Sequence, residues 1–367
     1  MLNANDYDHW QREFDHERAR LLAALGEITA GGIVDHLEHI GATSVPGLTG
    51  QPCLDIGLAV WPFPLELPRQ TALEALGYER IVDDERAPEQ RFRHTIGNFQ
   101  LYIIDVGNER WTEYLLLRDY LRHTAEARQA IAQQKQAWAV KLLTEPAAYQ
   151  ATKAELFSQT LIAARQWWVN YHGFTPVEAV AHELKDFSQP WYISSGWALD
   201  LFLGRVRRVH QDVDVVVARA DQLVLQQYMT ERHWKFVTPF EKRLEPWPIH
   251  MRIELPRFQV HAHRGDEFID FLLTDIEQGV WRYRRNPMII QTMERSYLTA
   301  DTGIRFLAPE LVLLFKSKNT SGQGRSKDQL DFEEVKAHLT SERRVWLRWA
   351  LLVTDPTHAW LEQLMDR

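Results

Sequence analysis

The sequence predicts an α+β chain of two domains, on three observations. A glycine-containing turn followed by a strand that carries Asp recurs in both halves: Gly41-Ala42 before Asp55, and Ser195-Gly196 before Asp212 and Asp214. Stretches with apolar residues at helical spacing alternate with short alternating or β-branched runs, and helical stretches close the chain. Gly173 and Pro176 punctuate the middle of the chain, within Asn170-Tyr171-His172-Gly173-Phe174-Thr175-Pro176. A length of 367 residues is enough for two hydrophobic cores. The expected domains are therefore 1–170 and 171–367, two far-diverged copies of one fold.

Composition narrows the class. Hydrophobic residues make up 45% and charged residues 25%, as in ordinary water-soluble proteins. No apolar run approaches the ~20 residues that cross a bilayer, and the first residues lack the basic and apolar regions of a signal peptide. The single Cys53 excludes a disulfide framework within the chain and points to a cytoplasmic setting. It sits in the apolar run Pro52-Cys53-Leu54 and reads as a small core residue. The net charge is −8, with the acidic excess mostly in the first half, which argues against a nonspecific grip on nucleic acid. Basic clusters at Arg205/Arg207/Arg208, Arg282/Arg284/Arg285 and Lys316/Lys318/Arg325/Lys327 suit either a solvated surface or a polyphosphate site. The 14 Trp residues are read mainly as core, some as possible stacking surfaces.

The elements follow in order. Tyr7 to Leu25 is an amphipathic helix (Trp10, Phe14, Leu21, Leu25) with Gly26 soon after. Phe99–Val106 reads as a strand. Glu126–Phe157 reads as helix, pausing at Pro146 and running into Leu161–Trp168. Thr175-Pro176 opens a helix through about Lys185. Trp191–Ser194 is an apolar strand, Ser195-Gly196 a tight break, and Trp197–Leu203 a helix closed by Gly204. Asp212–Val217 starts as an alternation and becomes solidly β-branched, as a half-buried strand does. Asp221–His233 reads as a helix, and Phe236–Thr238 and Met251–Leu255 as short strands. Phe258–His263 alternates, Gly265-Asp266 turns, and Glu267–Leu273 is an apolar strand. A helix starts near Pro309-Glu310 and carries Lys316 and Lys318 at its end. Asn319–Arg325 is a polar, glycine-rich loop, expected to be mobile, and Lys327 opens another helix.

Chemistry concentrates in the second half. Side chains on a strand repeat every two residues, so Asp212 and Asp214 are expected to point the same way. Two such carboxylates repel unless a divalent cation sits between them. Past Glu267, which opens it, Asp270 is the only acid inside an otherwise apolar strand: either it meets a cation, since burial is otherwise costly, or it faces water at the strand's end. His261 and His263 share a face and suit either a metal or an ordinary satisfied or exposed role.

In the first half, Gly41-Ala42-Thr43-Ser44-Val45-Pro46-Gly47-Leu48, Pro52-Cys53-Leu54-Asp55-Ile56-Gly57 and Trp111-Thr112-Glu113-Tyr114 resemble the GrpB family across nearly all of residues 1–165. That resemblance implies a nucleotidyltransferase-like fold. Asp55 stands as the first acid of an Asp-x-Asp whose second place is Gly57, and Asp105 is a possible third acid. With one sure ligand, this half reads as a degenerate domain that binds a ligand or acts as a scaffold.

In the second half, Gly196-Trp197-Ala198-Leu199-Asp200, Leu203-Gly204-Arg205 and His210-Gln211-Asp212-Val213-Asp214 resemble the aminoglycoside and lincosamide adenylyltransferases of the DNA polymerase β-type superfamily. Phe306–Lys316 and Lys327-Asp328-Gln329-Leu330-Asp331-Phe332 extend the likeness. Ser195 departs from the usual Gly-Gly pair. The resemblance implies two nucleotidyltransferase-like domains, each a mixed sheet with packed helices, and a C-terminal helical segment. It further implies Mg2+ held by Asp212, Asp214 and Asp270. ATP is approached by Ser195, Gly196, Arg205, Lys316 and Lys327, and the acceptor is a small-molecule hydroxyl. Lys327 stands equally for a phosphate contact or a salt bridge to Asp328 or Asp331. A regulatory nucleotidyltransferase acting on protein or RNA, and a non-catalytic ligand-binding pseudo-enzyme, remain as alternatives.

Overall fold

The computed structural model describes residues 6–25, 36–60, 63–81, 89–105, 107–144, 146–241, 243–265, 267–318 and 326–365. Gly26, Val106, Asp266 and the 319–325 loop lie outside the described residues. The chain forms two compact units: one runs up to Tyr171 and includes Phe240–Glu245, the other holds His172–Pro239 and the chain from Pro246 onward.

In the first unit, helix α1 (Tyr7–Leu25) lays Phe14, Leu21 and Leu25 onto a sheet of β1 (His36–Ile40), β2 (Leu54–Val60), β3 (Tyr78–Ile81), β4 (Glu89–His94) and β5 (Phe99–Asp105), with α2 (Leu67–Ala75) between β2 and β3. The strand order is β1-β2-β5-β4-β3, and only β2 and β5 run parallel. A parallel pair needs a long crossover, which α2 and the β3–β4 hairpin supply. Leu54, Ile56, Leu58, Tyr78, Phe92, Leu101 and Ile103 are fully buried in its core. Helices α3 (Glu109–His123), α4 (Ala125–Thr144) and α5 (Pro146–His172) follow.

After a turn at Gly173 (φ 51°), the second unit begins with α6 (Thr175–Glu183), β6 (Trp191–Ile193), α7 (Ser195–Leu203), β7 (Asp214–Ala218) and α8 (Gln222–Thr230). Along the chain β8 (Lys235–Phe240) is followed by β9 (Arg243–Pro246), which falls almost wholly in the Phe240–Glu245 segment, and then by β10 (Gln259–Arg264) and β11 (Glu267–Thr274). A small sheet of β12 (Ile276–Glu277), β13 (Val280–Arg282) and β14 (Ile290–Thr292) precedes α9 (Met293–Ser296), β15 (Tyr297–Thr299) and β16 (Arg305–Leu307). Helices α10 (Pro309–Ser317), α11 (Ser326–Val335), α12 (Ser341–Thr354) and α13 (Trp360–Gln363) close the chain. The main sheet is ordered β15-β16-β6-β7-β11-β10-β8-β9.

Its central run, β6-β7-β11-β10-β8, repeats the first unit's β1-β2-β5-β4-β3 in order and in sense: antiparallel, parallel, antiparallel, antiparallel. The repeat fixes residue equivalences through register. Asp55 faces Ile40 on one side and Gln100 on the other. Asp214 receives the Ser194 N–H on one side and faces Asp270 on the other. Asp55 therefore stands where Asp214 stands, Cys53 where Asp212 stands, and Gln100 where Asp270 stands.

Four expectations need correction. Strand β7 starts at Asp214, not Asp212, because the Asp212 carbonyl accepts the Trp197 indole N–H at 2.9 Å instead of a ladder bond. Met251–Leu255 is not a strand: Ile253 N–H goes to Gln222 Oε1 (2.5 Å), and its carbonyl accepts from Arg219 and Gln222, so side chains replace a partner strand. Asp55 occupies the second acid position of the repeat rather than the first. Asp105 faces Val60 at the far end of the β2–β5 pair, five residues along from Gln100, so it cannot join Asp55.

Candidate active site

Helix α7 organises the site. It enters through Ser195 at φ 52° and Gly196, and ends at Gly204 in the left-handed conformation (φ 68°), where glycine costs nothing. A Cβ at Gly196 would stand 2.5 Å from both Arg208 Nη2 and His210 Cε1, so the loop after α7 packs flush against the helix start only because 196 is glycine. Ser195, in the left-handed conformation that glycine favours, hydrogen-bonds through its side chain to Asp214.

The loop is pinned from beneath. Asp200 is fully buried and accepts from Arg207 Nε (2.5 Å), Arg207 N (3.2 Å) and His210 Nε2 (2.8 Å). Trp197 stacks on His210 with ring centroids 4.2 Å apart. These contacts hold the segment that ends in Asp212.

Asp214 on β7 and Asp270 on β11 are direct register partners on neighbouring parallel strands, which places their backbones about 5 Å apart. Asp270 is 3% exposed. Its Oδ2 accepts a hydrogen bond from the Gln259 side chain, its Oδ1 is buried without a hydrogen-bond partner, and His261 Nε2 lies 3.9 Å from Oδ1. Burial first, then the Asp214 and Asp212 carboxylates, raise Asp270 well above the ordinary carboxylate range. Burial first and Asp212 second push Asp214 up to about 7, against the pull of Ser195, Lys316 and Lys327. The three acids thus act on one another through their charges.

Among the described residues, no group of three or more His, Cys, Asp or Glu side chains is gathered into a ready coordination shell. Asp214 and Asp270 are register partners and Asp212 acts on both by its charge, with Gln259 holding one oxygen of Asp270. Their chemistry nevertheless fits a hard divalent cation such as Mg2+: the donors are carboxylate oxygens, they repel one another, and one buried oxygen has no partner.

The predicted basic residues divide. Lys316 is tied to Asp328 (2.6 Å) and Asp331 (2.8 Å), and its charge bears on Asp214. Lys327 also bears on Asp214 by its charge. Arg205 is exposed and lies 3.8 Å from Glu334. Arg207 and Arg208 both reach Asp331, at 3.0 and 3.2 Å. Burial works to raise Asp331, but Lys316 and Arg208 outweigh it and hold this carboxyl well below its usual range. Sequence reasoning did not single out Gln259 or Asp200, and it named Asp331 only as a salt-bridge partner for Lys327, whereas Lys316, Arg207 and Arg208 pair with it. Asp200 and Asp331 lay within quoted motifs, and only their burial reveals their work. Gln259 carried no signal.

In the first unit two of the three equivalent positions hold uncharged side chains, Cys53 and Gln100. A cavity of about 420 Å3 is lined by Cys53, Arg93, His94 and Gln100 among others. Burial and Asp55 push the Cys53 thiol up to about 12, and Tyr102 O–H donates to Gln100 Oε1 at 2.8 Å. No acid pair faces another across β2 and β5.

Comparison with known proteins matches both units. The GrpB protein family matches residues 4–162, and the aminoglycoside-2''-adenylyltransferase family matches residues 176–242. UPF0157 protein SCO7215 of Streptomyces coelicolor is 40% identical over 129 residues, covering 35% of this chain and 64% of that protein. The chain thus spans less than two thirds of the length of this curated relative. Among solved structures, the conserved protein GrpB from Enterococcus faecalis is 22% identical, covering 46% of this chain and 99% of that one, with a TM-score of 0.38. ANT(2'')-Ia in complex with adenylyl-2''-tobramycin is 15% identical, covering 49% and 97%, with a TM-score of 0.37. No helix among the described residues is long and apolar enough to cross a membrane. The chain therefore joins a region similar to GrpB protein to one similar to aminoglycoside-2''-adenylyltransferase, a nucleotidyltransferase.

Proposed function

We propose that the second unit is a magnesium-dependent nucleotidyltransferase that moves AMP from ATP to a hydroxyl of a small molecule of the aminoglycoside or lincosamide kind. The observation that carries this reading is the register match of Asp214 with Asp270, with Asp212 within their field. Asp212, Asp214 and Asp270 would hold the Mg2+, which offsets charge on the triphosphate.

Asp270, through the oxygen left open by Gln259, takes the proton of the acceptor hydroxyl. The acceptor oxygen bonds to the α-phosphorus as the bond to the bridging oxygen of the β-phosphate breaks, and pyrophosphate leaves. Backbone N–H groups at the start of α7 favour the anion there. Lys327 adds positive charge, and Lys316, through Asp328 and Asp331, fixes α11 beside the acids.

Labelled ATP with Mg2+ and a panel of aminoglycosides, lincosamides and candidate proteins tests the reading. Label on an antibiotic is expected, with the Asp270→Asn variant about 10²- to 10⁴-fold slower. Transfer at the wild-type rate by both Asp212→Asn and Asp270→Asn would overturn it. A second reading, a ligand-binding pseudo-enzyme, is favoured by the commitment of Asp270 to Gln259 and by the absence of a gathered shell among the described residues. ATP binding with no transfer to any acceptor supports that second reading, and label on a macromolecule supports a regulatory enzyme.

A further inference from the structure

At the end of β13 and in the turn that follows it, the chain places Arg282, Arg284 and Arg285 within four positions. Arg282 Nη1 donates to the Pro287 carbonyl (3.1 Å) and Arg285 Nη1 to the Phe315 carbonyl (2.8 Å). Arg284 packs over an aromatic ring: its guanidinium carbon is 3.4 Å from the Phe258 centroid and 5.7 Å from that of Phe315. Arg285 approaches the same Phe315 ring at 5.5 Å. Among the described residues no carboxylate pairs with any of the three. The nearby Asp275 is taken by Arg219 at 2.6 Å.

A half-buried guanidinium on a ring gives up hydration on one face, and the ring returns about 0.5–2 kcal/mol. Its five N–H donors sit at the edge of the plane, in the fork that matches an oxyanion. Burial, Arg285 and Arg219 together pull Arg284 down to about 10, as expected where positive charge outruns negative. Neither Arg284 nor Arg285 is among the leading charges that bear on Asp214 or Asp270.

We infer that Arg284 and Arg285, set against Phe258 and Phe315, form a phosphate-binding site separate from the acid cluster. The group bound is a phosphate or phosphate monoester, held by the edge of Arg284 and by the donors of Arg285 that the Phe315 carbonyl and the Tyr283 side chain leave over. The site needs no divalent cation, so it stands whether or not the transfer reaction does.

The test uses the full chain in EDTA at low ionic strength, titrated by calorimetry with inorganic phosphate and separately with AMP. Binding at about 1 mM or tighter is expected. Arg284→Gln and Arg285→Gln should each weaken it about tenfold or more, the worth of a charge-assisted hydrogen bond. Arg252→Gln, an exposed arginine elsewhere, should leave it unchanged. Tighter binding of AMP than of phosphate supports the site and assigns the group to an ester. Equal binding supports it with free phosphate as the ligand. The inference fails if neither probe binds or if both arginine variants bind as wild type.

Discussion

Gln259 belongs to no motif, yet it decides which oxygen of Asp270 is open. Its amide takes Oδ2, so Oδ1 alone remains to meet a proton or a cation. Replacing it with Leu frees both oxygens and lets the carboxyl turn. Misplacement of a reacting group on that scale costs about 10²-fold in rate, so Gln259→Leu should slow transfer by that order. ATP affinity by calorimetry should change little. An unaltered rate would show that β11 alone positions the acid. His39 makes a second prediction, in the first unit. Thr43 Oγ1 donates to the Cys53 carbonyl at 3.0 Å, so the hydrogen between His39 Nε2 and Thr43 Oγ1 (3.1 Å) comes from the ring. Nδ1 is left buried without a partner, and burial, with Arg122 and Arg118, lowers the ring's pKa to about 3. The unfolded ring protonates near pH 6.5 and the folded one near 3, so between them the unfolded state binds more protons. Stability is full above pH 6.5 and falls as pH drops through that window, at up to about 1.4 kcal/mol per pH unit. Urea melts at several pH values should show this slope, and His39→Gln should flatten it.

At the scale of the element, α7 works through what is packed against it. Asp200 inside the helix and Asp331 on α11 share Arg207, while Arg208 and Lys316 converge on Asp331. Removing one charge from a buried set leaves the others uncompensated, typically costing about 3–5 kcal/mol. Asp331→Asn should lower second-unit stability by that order in denaturant titrations, and a change under about 0.5 kcal/mol, the range of an ordinary surface substitution, would remove the network from the account. Gly196→Ala sets a methyl against Arg208 and His210; it should cost about 1–3 kcal/mol through overpacking. Helix α7 itself was legible from its apolar spacing and its Gly204 stop. The start of β7 was not, because alternation in Asp212-Val213-Asp214 says nothing of a Trp197 indole that claims the Asp212 carbonyl.

Across the whole chain, one strand arrangement occurs twice with different residues at equivalent places. Where the second unit has Asp212, Asp214 and Asp270, the first has Cys53, Asp55 and Gln100. One carboxylate offers too little charge and too few donors for a two-metal site. Asp55→Asn should therefore leave transfer unchanged, whereas Asp214→Asn should abolish it in the same assay. Loss of transfer in both variants would give the first unit a part in the chemistry.

Periodicity, turn residues and isolated acids were enough, from sequence alone, to separate two α+β halves, to locate α1, α7, α10 and β11, and to nominate Asp212, Asp214 and Asp270. Such signals are local, arising from backbone preference and the one-sided burial of single elements. Tertiary structure alone decided which residues became equivalent in the two halves, that Gln100 and not Asp105 faces Asp55, and that Gln259 restrains Asp270. It also decided that Lys316 and Arg207 are committed to buried carboxylates while Arg284 packs on the rings of Phe258 and Phe315. Strand register and the pairing of charges join residues tens to more than a hundred positions apart, and no local pattern carries that information.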